Sequence, residues 1–128
     1  MSGSFNLFVY GTLKSGERNA HLLSGCELIG PGRVGGILYD IDGEHPALVV
    51  YGTTQVSGEV WNCSADLLLR LDEFEGLSTG LFRRIGVTVD TRNGPLPCWT
   101  YVAGPSLSHK LIPGRRIAAW TQKGSAPA

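Results

Sequence analysis

Short runs in which apolar and polar residues alternate recur along the chain, and glycine-bearing turns separate them. Eighteen of the 128 residues are glycine, roughly twice the usual share. A period of two is the spacing of a half-buried strand, so the pattern predicts about six short strands. The predicted strands are Phe5–Tyr10, Arg33–Ile41, Ala47–Tyr51, Val56–Asn62, Arg84–Asp90 and Pro97–Val102.

Two segments interrupt the alternation and predict helices, at Glu17–Leu23 and Ala65–Glu75. Ser64 is placed as the N-cap of the second helix, and Gly76 as the left-handed residue that ends it. Helices inserted between strands indicate an α+β domain. A flat sheet of six strands would leave one face uncovered, so we expect the sheet to curl into a partial barrel.

Length and charge narrow the domain organisation and the partners. A chain of 128 residues suits one domain, predicted over residues 1–122, with a small polar tail at 123–128. Eleven Lys and Arg balance eleven Asp and Glu, so the chain lacks the excess of basic residues that binds nucleic acid or anionic lipid. No apolar run approaches the length of a membrane span. We therefore expect neither nucleic acid nor membrane as a partner.

The cysteines and histidines do not form a recognisable metal or disulfide pattern. Cys26, Cys63 and Cys98 lie far apart without a C-x-x-C pair, which fits neither a disulfide framework nor a zinc site. The three histidines have no ligand spacing. This usage is typical of a reducing compartment, so we expect a cytoplasmic protein without a metal cofactor.

Two familiar motifs are present without their usual context. Gly30–Gly35 reads G-x-G-x-x-G, but a strand rather than a helix follows it, so we interpret it as a hairpin turn. Gly76–Gly80 reads G-x-S-x-G, and Asp90 and His109 follow in the order of α/β-hydrolases. A nucleophile elbow needs a strand before the serine and a helix after it. Here the predicted order is reversed, which disfavours a serine hydrolase.

Glu75 is the residue whose placement on its helix points to chemistry. Leu68, Leu71 and Glu75 are spaced i, i+3 and i+7, so the carboxylate projects from the apolar face. Three effects would raise its pKa: the negative end of the helix dipole, the charge of Asp72 and partial burial. A carboxylate with a raised pKa can accept and return protons near neutrality.

The same spacing leaves a structural alternative open. Glu75 could instead end the helix in solvent or form an ion pair with Arg83 or Arg84. Asp72 is either a second active-site carboxylate or a local hydrogen bonder that fixes a neighbouring loop, and we favour the second interpretation.

The turn from Tyr10 to Gly16 is the second candidate. It leaves an apolar strand and enters the first predicted helix, a geometry that can present consecutive backbone N–H groups to a carboxylate. Gly11 would allow a ligand to approach closely. The alternative is a connection that binds nothing.

Five ordered blocks between residues 5 and 103 resemble the gamma-glutamylcyclotransferase-like family, also called AIG2-like. The resemblance implies a small mixed β-barrel with its pocket at one end. It implies that the turn residues Tyr10, Gly11, Thr12 and Leu13 bind the γ-glutamyl group, and that Glu75 is the general acid and base. The blocks are Tyr10–Leu13, Gly16 with Asn19 and Leu22-Leu23, Pro46–Val49, Val56–Trp61 and Leu71–Gly76.

The implied reaction needs no metal, cofactor or protein nucleophile. Glu75 takes a proton from the α-ammonium of a γ-glutamyl amine, amide or peptide, and the freed amine attacks its own γ-carbonyl. The products are 5-oxoproline and a free amine, whose identity the sequence leaves open, as it does the oligomeric state.

The chain departs from the family pattern at Phe82. Family members commonly have tyrosine there, and phenylalanine has no hydroxyl to offer a substrate. A non-catalytic member of the same fold, binding a small ligand or a partner, is therefore the alternative.

Overall fold

The computed structural model describes residues 3–41, 45–50, 54–105 and 115–117. Most of them lie in eight strands, one α-helix and two short 3₁₀-helices. The elements in chain order are β1 (Ser4–Val9), a 3₁₀-helix (Ala20–Leu23), β2 (Glu27–Gly35), β3 (Ile37–Ile41), β4 (His45–Val49), β5 (Gln55–Ser64), α1 (Ala65–Phe74), a second 3₁₀-helix (Leu77–Thr79), β6 (Phe82–Thr91), β7 (Gly94–Ala103) and β8 (Arg115–Ile117).

Five strands close into a barrel in the order β1-β5-β2-β6-β7. Every neighbouring pair is antiparallel except β7 and β1, which meet in parallel at Leu7 and Trp99. Strands β4, β3 and β8 form a separate three-stranded sheet. The predicted mixed barrel in an α+β fold is confirmed. The prediction of about six strands is only approximate, because the barrel has five strands and the smaller sheet has three more. No helix of the described residues has the length and apolar character needed to cross a bilayer.

Strand β1 lies between two apolar clusters and is buried on both faces. Leu7 and Val9 pack into one cluster with Leu71 of α1. Phe8 and Tyr10 alternate with them and pack into the other cluster, among side chains of the barrel and the small sheet. Because the chain leaves β1 directly into the Tyr10–Gly16 turn, this packing fixes where the turn begins.

The hairpin turn predicted at Gly30–Gly35 is wrong, because these residues lie inside β2. The strand pairs with β5 along most of its length, and a bulge between Leu28 and Gly30 absorbs the irregularity. Strand β6 pairs with β2 only at Gly32 and Arg33, so Pro31 has a neighbour on one side only. Proline is tolerated at such a position because the missing N–H leaves no gap in a central ladder.

The predicted strand Arg33–Ile41 is two strands, which belong to different sheets. The chain passes from β2 to β3 at Gly36, where a Cβ atom would lie 2.7 Å from the Val49 carbonyl oxygen. The close approach of β4 explains why a glycine separates the strands.

The helix predicted at Glu17–Leu23 is also wrong in extent. Only Ala20–Leu23 is helical, as a single 3₁₀ turn. The preceding residues form turns instead, in which the Glu17 N–H donates to the Lys14 carbonyl and the Asn19 N–H to the Thr12 carbonyl. These bonds belong to turns, and the helical residues begin only at Ala20.

Helix α1 agrees closely with its prediction. Ser64 occupies the N-cap position but makes no capping hydrogen bond through its side chain, so the expected side-chain cap is absent. Gly76 follows the helix with φ of 73°, which confirms the predicted left-handed stop. The tail predicted at 123–128 lies outside the described residues, and so the boundary at residue 122 stays a prediction.

Candidate active site

A cavity of about 170 Å³ lies between the turn after β1 and the C-terminal end of α1. It brings together all five residues predicted for the site. The described lining residues are Phe8, Val9, Tyr10, Gly11, Thr12, Leu13, Pro46, Phe74, Glu75, Leu81, Phe82 and Tyr101. Glu75 is the only carboxylate among them, and they include no lysine, arginine or histidine.

Glu75 is held at the cavity by backbone bonds. It is the C-cap of α1, and its N–H donates to the Leu71 carbonyl at 2.8 Å. The left-handed Gly76 then reverses the chain, and its carbonyl accepts the Leu81 N–H at 3.1 Å. The chain on both sides of Glu75 is thereby fixed, and the side chain is half-buried in the cavity wall.

Burial raises the pKa of Glu75 to about 7. Removal from water disfavours the charged form of a carboxyl, which is the physical cause. Of the three effects expected from the sequence, only burial accounts for the raised pKa. The predicted alternative, an ion pair of Glu75 with Arg83 or Arg84, is not seen among the described residues, where Arg84 pairs with Asp72 at 2.9 Å. Glu75 is therefore suited to exchange protons near neutral pH.

The turn opposite Glu75 leaves consecutive backbone donors unused. The Lys14 N–H donates to the Gly11 carbonyl and closes the turn. Asn19 holds Thr12 twice, by its N–H to the carbonyl at 2.9 Å and by its Nδ2 to Oγ1 at 3.0 Å. Within the described part of the chain, no hydrogen bond engages the N–H groups of Gly11, Thr12 and Leu13. Such a set of donors suits a carboxylate or a carbonyl oxygen.

Glu59 anchors the far end of the turn. Its Oε1 accepts hydrogen bonds from the Ser15 N–H at 2.8 Å, the Ser15 hydroxyl at 3.2 Å and the Trp61 Nε1 at 3.1 Å. The residue-by-residue reasoning missed this role. The sequence signal for this role was the Val56–Trp61 block. Glu59 and Trp61 are two positions apart in it, so their side chains point to the same face of β5.

Gly11 is required by a neighbouring side chain. A Cβ atom at this position would lie 2.6 and 2.8 Å from two ring carbons of Pro46. Pro46 itself lines the cavity, so the absence of a side chain at residue 11 lets β4 close one wall of the pocket. The sequence predicted that a ligand would approach Gly11 closely, and this stays a prediction. In the structure, the Pro46 ring occupies the space beside Gly11.

The Tyr10 side chain is buried and joins two sheets. Its hydroxyl donates to the Tyr101 carbonyl of β7 and accepts the Leu48 N–H of β4 at 3.3 Å. Burial and the nearby charge of Glu75 raise the pKa of Tyr10 far above its usual value, so the phenol stays neutral. The Tyr10 side chain therefore has a structural role, which is separate from the predicted role of the Tyr10 backbone in binding substrate.

A network missed by the sequence reasoning adjoins the cavity at Tyr101. The Tyr101 hydroxyl donates to Asp72 Oδ1 at 2.7 Å, and Arg84 donates to both oxygens of Asp72 at 2.9 and 3.2 Å. The guanidinium also lies over the Trp99 ring, 4.5 Å from its centre. Asp72 is thus a hydrogen bonder, as favoured above, but it joins α1 to β6 and β7 and does not fix a loop.

Ser78 and Asp90 lie too far apart for a hydrolase site. Ser78 is exposed in the 3₁₀-helix before β6, whereas Asp90 lies eight residues beyond Phe82 on that strand. Eight residues of strand span about 26 Å. Neither residue lines the cavity, and His109 lies outside the described residues. The geometry therefore gives no support to the serine hydrolase.

The described ranges also lack an obvious metal-binding cluster, since no three His, Cys, Asp or Glu side chains there are grouped to hold an ion.

Comparison with known proteins assigns the family. The family described as gamma-glutamyl cyclotransferase, AIG2-like, matches residues 7–121. The chain belongs to this family. Gamma-L-glutamyl-butirosin B gamma-glutamyl cyclotransferase from Niallia circulans is 36% identical over 103 residues, covering 76% of this chain. The chain spans 65% of that relative's length.

Solved structures of similar proteins share the fold. An AIG2-like protein from Mus musculus superposes with a TM-score of 0.82 at 20% identity, covering 94% of this chain and 90% of the mouse protein. YkqA from Bacillus subtilis gives a TM-score of 0.68 at 27% identity, covering 86% of this chain and 42% of YkqA. This chain thus shares its overall fold with both of these proteins.

Proposed function

We propose that this AIG2-like protein is a γ-glutamyl cyclotransferase that needs no cofactor. Its substrate is a small γ-glutamyl amine, amide or peptide, and its products are 5-oxoproline and the free amine. The observation that carries the proposal is the placement of Glu75, with its raised pKa, in the same cavity as the unused N–H groups of the turn. The name of the Niallia circulans relative supports the reaction class.

The turn would bind the γ-glutamyl group. The N–H groups of Gly11, Thr12 and Leu13 provide donors for a carboxylate or for the oxygen of the γ-carbonyl, on which negative charge develops during attack. Apolar side chains such as Phe8 and Phe82 form much of the remaining wall. Holding the γ-glutamyl chain folded brings its amine close to its own γ-carbonyl, which lowers the entropic part of the barrier to ring closure.

Glu75 would transfer the proton in both directions. The ionised carboxylate takes a proton from the α-ammonium, and the amine nitrogen then bonds to the γ-carbonyl carbon to close a five-membered ring. The protonated carboxyl gives that proton to the leaving nitrogen as the original C–N bond breaks. The regenerated carboxylate then takes the second proton from the ring nitrogen and passes it to the released amine, which leaves as an ammonium ion. A base with a pKa of about 7 is partly ionised near neutral pH, so it can both take and return protons there.

The test is to incubate the protein with a panel of γ-glutamyl amines and dipeptides and to measure 5-oxoproline by mass spectrometry. Glu75→Gln should lower kcat by roughly 10²-fold to 10⁴-fold, because it removes the proton acceptor. Glu73→Gln is the matched control, since Glu73 is exposed on the same helix and outside the cavity. The wild-type kcat/KM should rise with pH through about 7, as Glu75 ionises.

Absence of 5-oxoproline with every substrate would reject the enzyme, and full activity in Glu75→Gln would remove Glu75 from the mechanism. The alternative of a non-catalytic binding protein rests on Phe82, which lines the cavity without a hydroxyl. Binding of 5-oxoproline or a γ-glutamyl amine in calorimetry, without turnover, would favour that alternative.

A further inference from the structure

The Tyr101 hydroxyl is a polar group in the cavity wall that the mechanism above does not use. The residue is 4% exposed, and its ring belongs to the apolar cluster that includes Leu71 and Phe82. Tyr101 and Glu75 line the same cavity. Burial, the hydrogen bond and charge of Asp72 and the charge of Glu75 raise the pKa of Tyr101, so its hydroxyl stays neutral. A buried hydroxyl beside the proposed base therefore needs a stated function.

The direction of the Tyr101 hydrogen bond decides what the hydroxyl can do. A phenol has one proton, and Tyr101 donates it to Asp72 Oδ1 at 2.7 Å. Arg84 donates hydrogen bonds to both oxygens of Asp72, so the acceptor of the Tyr101 proton is held in place. With its proton engaged, the Tyr101 oxygen can only accept a hydrogen bond from a ligand.

Only a donor can therefore use the Tyr101 oxygen. On a γ-glutamyl substrate the groups able to donate are the α-ammonium and the amide N–H, and the α-ammonium is the group that must reach Glu75. The γ-carbonyl oxygen is an acceptor and cannot bind there. Two neighbouring acceptors, Glu75 and Tyr101, match a nitrogen that carries three hydrogens.

We propose that the Tyr101 hydroxyl oxygen binds the substrate α-ammonium beside Glu75, and that Asp72 and Arg84 are positioning residues that keep this oxygen an acceptor. The inference rests on the proposed function. It adds a substrate-binding residue on β7, opposite the turn that receives the carboxylate and the carbonyl. It also places a hydroxyl in the cavity of a chain that has phenylalanine at residue 82.

The experiment compares Tyr101→Phe with wild type on two ligands. The first is a γ-glutamyl amine that the wild type turns over, and the second is the glutaric acid mono-amide of the same amine, which lacks the α-amine. Tyr101→Phe should raise KM for the first about tenfold or more, because a hydrogen bond to a charged group is lost. The inhibition constant of the second should change less than about twofold. Tyr39→Phe is the control, since Tyr39 is buried but does not line the cavity.

Equal weakening of both ligands would overturn the proposal, since it would make Tyr101 part of the wall and nothing more. Unchanged binding of both would overturn it as well. The proposed function fails separately, if the wild type forms no 5-oxoproline. In that case calorimetry with the same two ligands still shows whether Tyr101 contributes more to binding the ligand that has an α-ammonium than to binding the one that lacks it.

Asp72→Leu tests the positioning residues. Leucine is similar in size but has no oxygen to accept the Tyr101 proton, so the hydroxyl can turn and its oxygen is no longer held as an acceptor. The variant should show the same selectivity as Tyr101→Phe, with a larger loss for the γ-glutamyl amine than for the mono-amide. A loss of the same size for both ligands would show that Asp72 acts only on the fold.

Discussion

Burial of the Glu75 carboxyl makes stability depend on pH. The pKa is about 7 in the folded protein and 4.5 in the ordinary exposed group. Below pH 4.5 the carboxyl is protonated in both states and has no effect; as pH rises to 7, the unfolded chain ionises first and stability falls. Above pH 7 the folded protein is destabilised by about 3 kcal/mol, because a tenfold difference in the acid constant corresponds to about 1.36 kcal/mol.

Glu75→Gln should therefore be more stable than wild type at pH 8 and inactive. The excess in the free energy of unfolding should grow by up to about 3 kcal/mol between pH 4.5 and pH 8, as measured by urea titration. Glu73→Gln should show no such growth, because that side chain is exposed. An excess that did not change with pH would mean that the carboxyl is not desolvated.

Gly11 gives a second prediction for a single residue. In Gly11→Ala the new methyl group meets the Pro46 ring, which cannot rotate away, so β4 must shift. We expect a loss of about 1–3 kcal/mol in the free energy of unfolding, with loss of activity.

Gly86→Ala is the control for Gly11→Ala, because a Cβ atom there meets nothing within 4 Å. Its stability should change by less than about 1 kcal/mol. Wild-type stability in Gly11→Ala would show that Pro46 can move without cost.

The secondary-structure elements differ in how far sequence predicts them. Helix α1 and its end at Gly76 could be predicted because apolar spacing and a stop residue lie within a few positions of each other. The course of β2 through Pro31 could not, because tolerance of proline depends on the partial pairing with β6.

The same limit applies to the site. Glu75 is visible from the spacing on its own helix. The bonds of Asp72 to Arg84 and Tyr101 join residues 12 and 29 positions apart, and no local pattern predicts them. The Tyr10–Leu13 turn is visible from its own residues, but the anchoring of its far end by Glu59 spans 44 positions.

The turn after β1 depends on that anchor. Glu59→Ala removes the acceptor of Ser15 and Trp61, so the turn should loosen and KM should rise several-fold, while the pH dependence set by Glu75 stays the same. Hydrogen exchange over residues 10–17 should accelerate.

Glu59→Gln is the matched comparison for Glu59→Ala. It keeps one acceptor oxygen, so KM and hydrogen exchange should rise less than in Glu59→Ala. Equal losses in both variants would show that the charge of Glu59 matters rather than its acceptor geometry.

For the whole molecule, the Tyr10 hydroxyl joins the barrel to the small sheet by hydrogen bonds, in addition to the apolar cluster that the two share. Tyr10→Phe leaves the Leu48 N–H and the Tyr101 carbonyl without the hydroxyl that joins them. We expect a loss of about 1–3 kcal/mol in the free energy of unfolding. Hydrogen exchange should increase more in β3 and β4 than in β6 and β7.

Tyr101→Phe is the control for Tyr10→Phe. The Tyr101 hydroxyl bonds to Asp72 of α1, so its removal leaves the contact with the small sheet intact. A uniform increase in exchange across both sheets would show that Tyr10 stabilises the molecule as one unit.

The backbone fixation of Glu75 has a consequence for protein engineering. The base is set by the end of α1 and by Gly76, whereas the side chains of Phe74 and Leu81 only line the same cavity. Phe74 is 45% exposed, so its side chain reaches the solvent side of the pocket. Libraries of substitutions at these two positions could be screened for new amine leaving groups, because they vary the shape of the pocket without moving the group that transfers the proton.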